Sequence, residues 1–320
     1  MAFPIDVSIG IMKDNLEKRK SVLPISRKDA QRWTKGLNIP HGGETVLYTG
    51  CMYQLIPYIS ATVKYAEKYG DSGLKNLARL GRTLNKVVSL TGFMALFSKT
   101  QEEEYHEILR SIVKLLQNAG VEFGYLYDDD YYSGALLYDL GVDESVKKHA
   151  EFVYRNLKKY GVKKIITVDP HTTNLMREVY PEIIPDFDIE VKSYLEVLVA
   201  NIDKLEPVRD VTQTVVIHDS CVYARYEGII DEPRMLLEKA GYRVVEPDNA
   251  GKLTFCCGGP VESLFPEKAL NIAKKRVDEL DRFGKNVVTM CPICLANLSR
   301  ATNVLTFKDI ALYLRDAFTE

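Results

Sequence analysis

Five of the six cysteines in this 320-residue sequence fall between positions 221 and 294. They are Cys221, Cys256, Cys257, Cys291 and Cys294, and their spacing reads C-x34-CC-x33-C-x2-C. Thiolates at such spacing are soft metal ligands. Zinc takes four ligands in a tetrahedron, so five thiols are one too many unless one stays free. An iron–sulfur cluster is therefore the first expectation, a zinc site the second, and buried structural thiols the third. Gly258-Gly259 directly after the double cysteine lets the backbone turn tightly beside a bulky centre. Cys51 stands alone.

These residues need elements to bring them together. Thr45–Thr49, Val121–Leu126, Lys164–Val168, Thr214–Ile217, Tyr242–Glu246 and Asn286–Met290 read as strands. Residues 60–69, 101–118, 144–159, 235–239 and 266–283 read as helices, the last with apolar residues at Ala269, Ile272, Ala273, Val277 and Leu280. Alternating strand and helix means an α/β fold with mostly parallel sheets. Strand C-termini converge on one edge of such a sheet, and each cysteine element follows a strand. Cys294 is placed to open a helix, whose dipole would favour the thiolate.

The two halves repeat. LLQNAGVEF matches LLEKAGYRV at an offset of 121 residues, DYYSGALLYDLG matches TFCCGGPVESLF at 124, and KKIITVDPHT matches KNVVTMCPIC at 122. TGCMY matches DSCVY at 170, placing Cys51 on Cys221 and implying an insertion of 49 residues in the first half. Such offsets define two pseudo-symmetric, Rossmann-like halves. The organisation is a lead-in segment 1–43, a first half 44–205 with a helical insertion near 63–105, and a second half 206–320. The insertion is apolar at Leu74, Leu77, Leu80, Leu84, Val87, Val88, Phe93, Met94, Leu96 and Phe97, which suits core packing or a partner or membrane surface.

The cysteine pattern resembles the cysteine-rich CCG domain, which occurs twice in the B subunit of heterodisulfide reductase. The domain occurs also in iron–sulfur subunits of glycerol-3-phosphate, glycolate, lactate and some succinate dehydrogenases. His218-Asp219-Ser220-Cys221 is similar to the family's H-D-P-C stretch, with serine for proline. The resemblance covers about residues 44–320. It implies one noncubane 4Fe–4S cluster on Cys221, Cys256, Cys257, Cys291 and Cys294. It further implies an oxidoreductase subunit that works on a thiol, disulfide or persulfide, a small sulfur-containing substrate. A non-catalytic electron-transfer subunit of a flavin-dependent dehydrogenase (glycolate/lactate, glycerol-3-phosphate or succinate type) is the alternative, and a zinc-stabilised scaffold is a third reading.

The first half departs from the pattern. Tyr132 and Ser133 stand where the double cysteine belongs, and Asp169-Pro170-His171-Thr172 stands for C-P-x-C. Either the site is an inert relic, or Cys51, Asp169 and His171 face the intact centre with Cys51 as thiol and His171 as proton donor or acceptor. A different metal at those three residues is a further alternative. His218 and Arg225 flank Cys221 and either line the centre or serve as a capped histidine and a surface arginine. His106 and His149 sit among charges and are expected to be solvated, as is the run Asp128-Asp129-Asp130. The tyrosines around that run, Tyr125, Tyr127, Tyr131 and Tyr132, are expected to be at least partly core.

Forty-two basic and 44 acidic residues leave a net charge of −2, which points to no nucleic-acid partner. The N-terminus has no signal-like apolar run, and no stretch is long enough for a transmembrane segment. The expected place is the cytoplasm, peripheral to a membrane through partners at most, where cysteines stay reduced. No GxGxxG or GxxxxGK[ST] loop occurs, and no ferredoxin-type cysteine run. Electrons must then come from another chain, a ferredoxin-like iron–sulfur subunit similar to the C subunit of heterodisulfide reductase, paired with a flavoprotein subunit.

Overall fold

The computed structural model describes residues 5–69 and 91–319, and for residues 64–69 and 91–100 the helical backbone alone. The side chains from Leu74 to Phe97 singled out in the insertion lie outside the described residues.

Two runs of four short strands build two sheets. In the first half these are β1 (Thr45–Tyr48), β2 (Gly124–Tyr125), β3 (Lys164–Thr167) and β4 (Glu190–Ser193). In the second half they are β5 (Thr214–Ile217), β6 (Arg243–Val245), β7 (Asn286–Thr289) and β8 (Thr306–Asp309). The order is β2-β1-β3-β4 in one sheet and β6-β5-β7-β8 in the other, and every pair is parallel. The identical order bears out the α/β fold with two repeated halves. Central strands are continuous apolar runs: Val46, Leu47, Ile165, Ile166, Val215, Val216, Val287 and Val288 are all buried, as strands covered on both faces must be.

The edge strands β4 and β8 escape sequence reading. Glu190-Val-Lys-Ser and Thr306-Phe-Lys-Asp alternate exposed and buried residues, with too few apolar side chains to stand out from a loop. Helix Met52–Tyr69 begins eight residues before the expected start, and Pro292–Ala301 opens at the proline after Cys291.

The order of each sheet dictates where a site can form. The chain leaves β1 to one side for β2 and returns to the other side for β3, so the crevice opens outside the carboxyl ends of β1 and β3. The same holds for β5 and β7. Cys51 follows β1 and Asp169–His171 follow β3; Cys221 follows β5 and Cys291 follows β7. The repeat thus puts the degenerate and the intact motifs at equivalent crevices.

Polar contacts tie the halves together. The Tyr53 hydroxyl donates to Asp309 Oδ2 at 2.8 Å, Tyr105 donates to the Pro292 carbonyl at 3.1 Å, and Arg177 pairs with Glu227 at 3.0 Å. The lead-in segment packs on the first half: Trp33 is fully buried edge-on against Tyr125, and helix Ile5–Arg19 lies on helix Asp143–Lys159.

Three expectations of solvation are overturned. His149 is buried, with Nε2 2.5 Å from the Tyr132 carbonyl, and burial pushes its imidazole down to about 4. His106 is buried beside Glu102, and burial likewise pushes it down to about 4. His149 sits on the inward side of an amphipathic helix, whereas His106 is buried among charged groups, within 4.0 Å of both Glu102 and Glu103. Asp130 is fully buried and accepts from Thr49 and Tyr125, so the run of aspartates ends in the core. The tyrosines behave as expected, with Tyr125 and Tyr132 fully buried.

Candidate metal centre

The loop after β5 carries Cys221 on a rigid frame. Asp219 is buried and takes a two-pronged contact from Arg234, at 2.8 and 2.9 Å, and a third bond from the Gly251 amide at 2.7 Å. Its carbonyl accepts from Thr254 at 3.0 Å. Arg225 donates to the carbonyls of Lys252 and Thr254. One aspartate and two arginines therefore lock the Cys221 loop to the segment leading into Cys256. Asp219 belongs to the His218-Asp219-Ser220-Cys221 stretch singled out in the sequence, whereas no local pattern marks Arg234.

The double cysteine turns as its glycines predict. Gly258 has φ +76°, and a Cβ there would come within 2.9 Å of the Ala269 carbonyl. A Cβ on Gly259 would sit 2.0 Å from Ile293, so the two cysteine loops touch through glycine. The Gly258 and Gly259 amides point at the sulfurs of Cys256 (3.3 Å) and Cys257 (3.4 Å). Such N–H donors favour thiolate sulfur.

The five thiols are brought together as a chain of neighbours. Cys221 and Cys256 sulfurs are 4.0 Å apart. Cys257 follows Cys256 directly, its carbonyl accepts from Asn297 of the helix Pro292–Ala301 that carries Cys294, and Gly259 beside it meets Ile293, between Cys291 and Cys294. Among the described residues no three His, Cys, Asp or Glu side chains converge as on a single metal ion. Cys257, Cys291 and Cys294 are buried, while Cys221 and Cys256 are half-buried. Hydrogen bonds from Cys221 and Cys257 hold the Cys256 thiol well below the usual range. Burial alone would raise Cys291, but hydrogen bonds from Cys294 and His171 pull it down to about 5. Cys294 is pushed up because it donates to Cys257 and Cys291. The helix dipole expected to make Cys294 the thiolate is outweighed by these neighbours.

The loop around Cys221 also carries unpaired buried polar atoms. Arg276, itself fully buried, donates from Nε to His218 Nδ1 at 3.1 Å. The proton of neutral His218 is then on Nε2, which has no hydrogen-bond partner among the described residues; nor does Ser220 Oγ. Buried donors without partners cost about 1–3 kcal/mol each, so they fit a site whose occupant supplies acceptors.

In the first half the equivalent residues separate. Cys51 is buried in a left-handed conformation, φ +57°, and its thiol donates to the Asp130 carbonyl at 3.3 Å. Burial, reinforced by Asp130, pushes that thiol up. Ser133 bonds Thr172 at 3.1 Å, and Asp169 caps its helix through the Thr172 amide at 2.9 Å. His171 is buried, with Nδ1 2.7 Å from Asp139 Oδ2 and off the line of a well-formed ring hydrogen bond.

An apolar cleft of about 200 Å³ lies beside the centre, lined by Met12, Ile56, Leu136, Leu140, Pro260 and Ile293 among others. The half-buried edge at Cys221 and Cys256 faces outward instead. Around it Tyr226 and Leu253 are 69% and 73% exposed, and Phe255, next to Cys256, is exposed too.

A cysteine-rich segment folded in this way defines the class. Residues 215–299 match the family model CCG, described as a cysteine-rich domain. The chain is similar to an EtfAB:quinone oxidoreductase from Syntrophomonas wolfei, 32% identical over 210 residues, covering 62% of this chain and 29% of that protein. It is similar to a probable iron–sulfur-binding oxidoreductase, FadF, from Bacillus subtilis, 32% identical over 209 residues, 63% of this chain and 29% of that protein. It is also similar to the D subunit of a dihydromethanophenazine:CoB–CoM heterodisulfide reductase from Methanosarcina mazei, 28% identical over 196 residues, 58% of this chain and 48% of that protein. The chain thus spans between about a third and a half of the length of these relatives. Among its described residues no helix is long and apolar enough to cross a membrane.

Proposed function

We propose that the chain is an iron–sulfur electron-transfer subunit of a multi-subunit oxidoreductase of the heterodisulfide reductase kind. Its single noncubane 4Fe–4S centre would be held by Cys221, Cys256, Cys257, Cys291 and Cys294. The observation that supports this is five thiols gathered at the switch point of the second sheet, with the sulfurs of Cys221 and Cys256 4.0 Å apart and Gly259, beside Cys257, against Ile293. A tetrahedral zinc takes four ligands, one fewer than the thiols present, whereas an iron–sulfur cluster is held by cysteine thiolates. Such a centre, when bound, supplies reversible one-electron transfer and an iron able to bind sulfur.

The chain's own residues do the rest. Cys257, Cys291 and Cys294 are sealed from water. The Gly258 and Gly259 amides and the unpaired His218 Nε2 are donors toward the sulfur-rich group. Burial and donors of this kind set a cluster's potential. The edge at Cys221 and Cys256 is the short route in for an electron. Its collar of Tyr226, Leu253 and Phe255 suits a partner chain with its own redox centre, here a ferredoxin-like subunit fed by a flavoprotein. Phe255→Glu should slow reduction by such a donor about tenfold while iron content stays unchanged. An unchanged rate would remove this face from the electron path.

Direct action on a thiol, disulfide or persulfide is the second reading, favoured by the half-buried Cys221–Cys256 edge, where a small sulfur compound could approach. It would not run through the Cys51 thiol, which is occupied with Asp130. Both readings stand on the metal. Anaerobically purified protein is expected to carry about four irons and four sulfides per chain with a cluster EPR signal. One zinc and no sulfide would end both.

A further inference from the structure

We propose that the degenerate half clamps the helix that Cys221 opens, so that Tyr223 and Glu227, with Asn174 and Arg177 of the first half, position this thiol. The inference rests on the metal reading above, in which Cys221 is a ligand.

Cys221 begins a helical turn that continues as the π-helix Tyr223–Glu227. Residues four apart share a face of such a turn, and Tyr223 and Glu227 both meet the first half. The Glu227 side chain has no exposed surface. Asn174 Nδ2 donates to its Oε1 at 2.8 Å, and Arg177 Nη1 donates to its Oε2 at 3.0 Å. Arg177 is itself held, donating to the Val191 carbonyl at 3.0 and 3.2 Å and to Glu196. Tyr223 is fully buried, its hydroxyl 2.9 Å from Ser193 Oγ and 3.4 Å from Thr173 Oγ1. Thr173 and Asn174 directly follow Asp169-Pro170-His171-Thr172, and Arg177 lies in the π-helix Leu175–Val179. The segment without cysteines is therefore the one that grips the helix of a cysteine in the other half. Turns of π-helix often mark functional sites, and here an ion pair joins two of them.

The repeat supplies a control within the molecule. Tyr53 stands two residues after Cys51, as Tyr223 stands two after Cys221. Tyr53 donates to Asp309, which caps the helix Ile310–Phe318 after β8; Tyr223 meets Ser193, which caps the helix Tyr194–Val199 after β4. Each half thus sends its tyrosine to the helix cap after the last strand of the other. The charged grip is not repeated. At the offsets of 170 and 122 residues, Glu227 falls on Pro57, Asn174 on Ala296 and Arg177 on Ser299, none of which can form an ion pair. The tyrosines join the halves on both sides, whereas the ion pair is present only beside Cys221.

The opposite face of the same turn is fixed too, because Arg225 donates to the carbonyls of Lys252 and Thr254 ahead of Cys256. A thiol at the start of a turn anchored on both faces is held in place before any metal arrives. Supporting contacts of this kind raise the affinity of a metal site by preorganising its ligands.

The test compares variants on the two sides by three readouts. Anaerobically loaded protein gives the EPR spectrum and the rate of iron release to a chelator. Metal-free full-length chain gives the rate of alkylation of Cys221 by iodoacetamide, read by peptide mass. Arg177→Met should speed iron release about tenfold and alter the EPR spectrum. It should speed alkylation of Cys221 about threefold. Tyr223→Phe, the smaller change, should speed iron release about threefold and decides the matter if Arg177→Met does not fold. Arg177→Lys, which keeps the charge, should recover most of the parent behaviour. Tyr53→Phe breaks the equivalent contact beside no proposed ligand and should leave all three readouts at parent values. Parent values in Tyr223→Phe, or in a folded Arg177→Met, would overturn the clamp. So would an effect of Tyr53→Phe as large as that of Tyr223→Phe, since the contacts would then merely join the halves. Parent protein without iron and sulfide would instead overturn the metal reading, and this inference with it.

Discussion

Cys257→Ala is expected to yield a folded chain that has lost most of its iron and sulfide. Cys257 is fully buried between the Cys256 loop and the helix that carries Cys294, to which Asn297 ties its carbonyl and against which Gly259 packs at Ile293. Its removal takes away the thiol at the junction of the two loops. Even changes to groups that only support metal ligands lower affinity about 10–100-fold. A central ligand should cost at least that much, seen as a colour and iron content at least tenfold below the parent. The fold should survive, because the loop is anchored independently through Asp219, Arg225 and Arg234. Cys51→Ala is the contrasting variant. It should keep full iron and full electron transfer, and should cost only on the order of 1 kcal/mol of stability for a small buried thiol. Full iron in Cys257→Ala would exclude the five-thiol centre. Loss of iron in Cys51→Ala would place the metal in the wrong half.

Arg276→Met should be the most damaging single change outside the cysteines. The guanidinium is fully buried and contacts four groups: His218 Nδ1 (3.1 Å), the Asn249 carbonyl (3.0 Å), Glu279 Oε2 (2.7 Å) and Thr254 Oγ1 (3.5 Å). Methionine fills most of the volume but leaves Glu279 without its cation and His218 without a donor. Breaking one partner of a buried pair costs about 3–5 kcal/mol, because the other charge stays behind. A denaturant titration should show a midpoint lowered accordingly. Iron occupancy should fall as well, since His218 and Thr254 fix the approaches to Cys221 and Cys256. Adding Glu279→Met should return part of the stability without returning the iron, because the loop contacts remain lost. A stability within about 1 kcal/mol of the parent would mean that Glu279 finds other partners.

These variants separate what local sequence carries from what the packed chain decides. The strands β1, β3, β5 and β7 were legible because each is buried on both faces and so must be an unbroken apolar run. The edge strands β4 and β8 were not, because an edge needs only half its side chains inside, and four residues give too short a pattern to read. Arg276 and Arg234 were invisible for a related reason. A buried ion is stabilised by partners far apart along the chain, and no periodicity records them. His149, His106 and Asp130 look solvated in sequence because their neighbours are charged, yet a helix or loop turns some of its residues inward regardless of what flanks them.

By itself, the sequence determined the repeat and the class of fold, and it singled out the five thiols proposed as ligands. Five thiols at fixed spacing admit few chemistries, and constant offsets between two halves require one architecture twice. Only the tertiary structure decided how the two motifs face each other. Cys51 turns onto the Asp130 carbonyl, while His171, just beyond strand β3, is buried beside Asp139. The physical reason is that both belong to crevices at the carboxyl ends of parallel strands, where side-chain direction is set by packing across the interface between the halves. Nothing in the order of residues along either half encodes that packing.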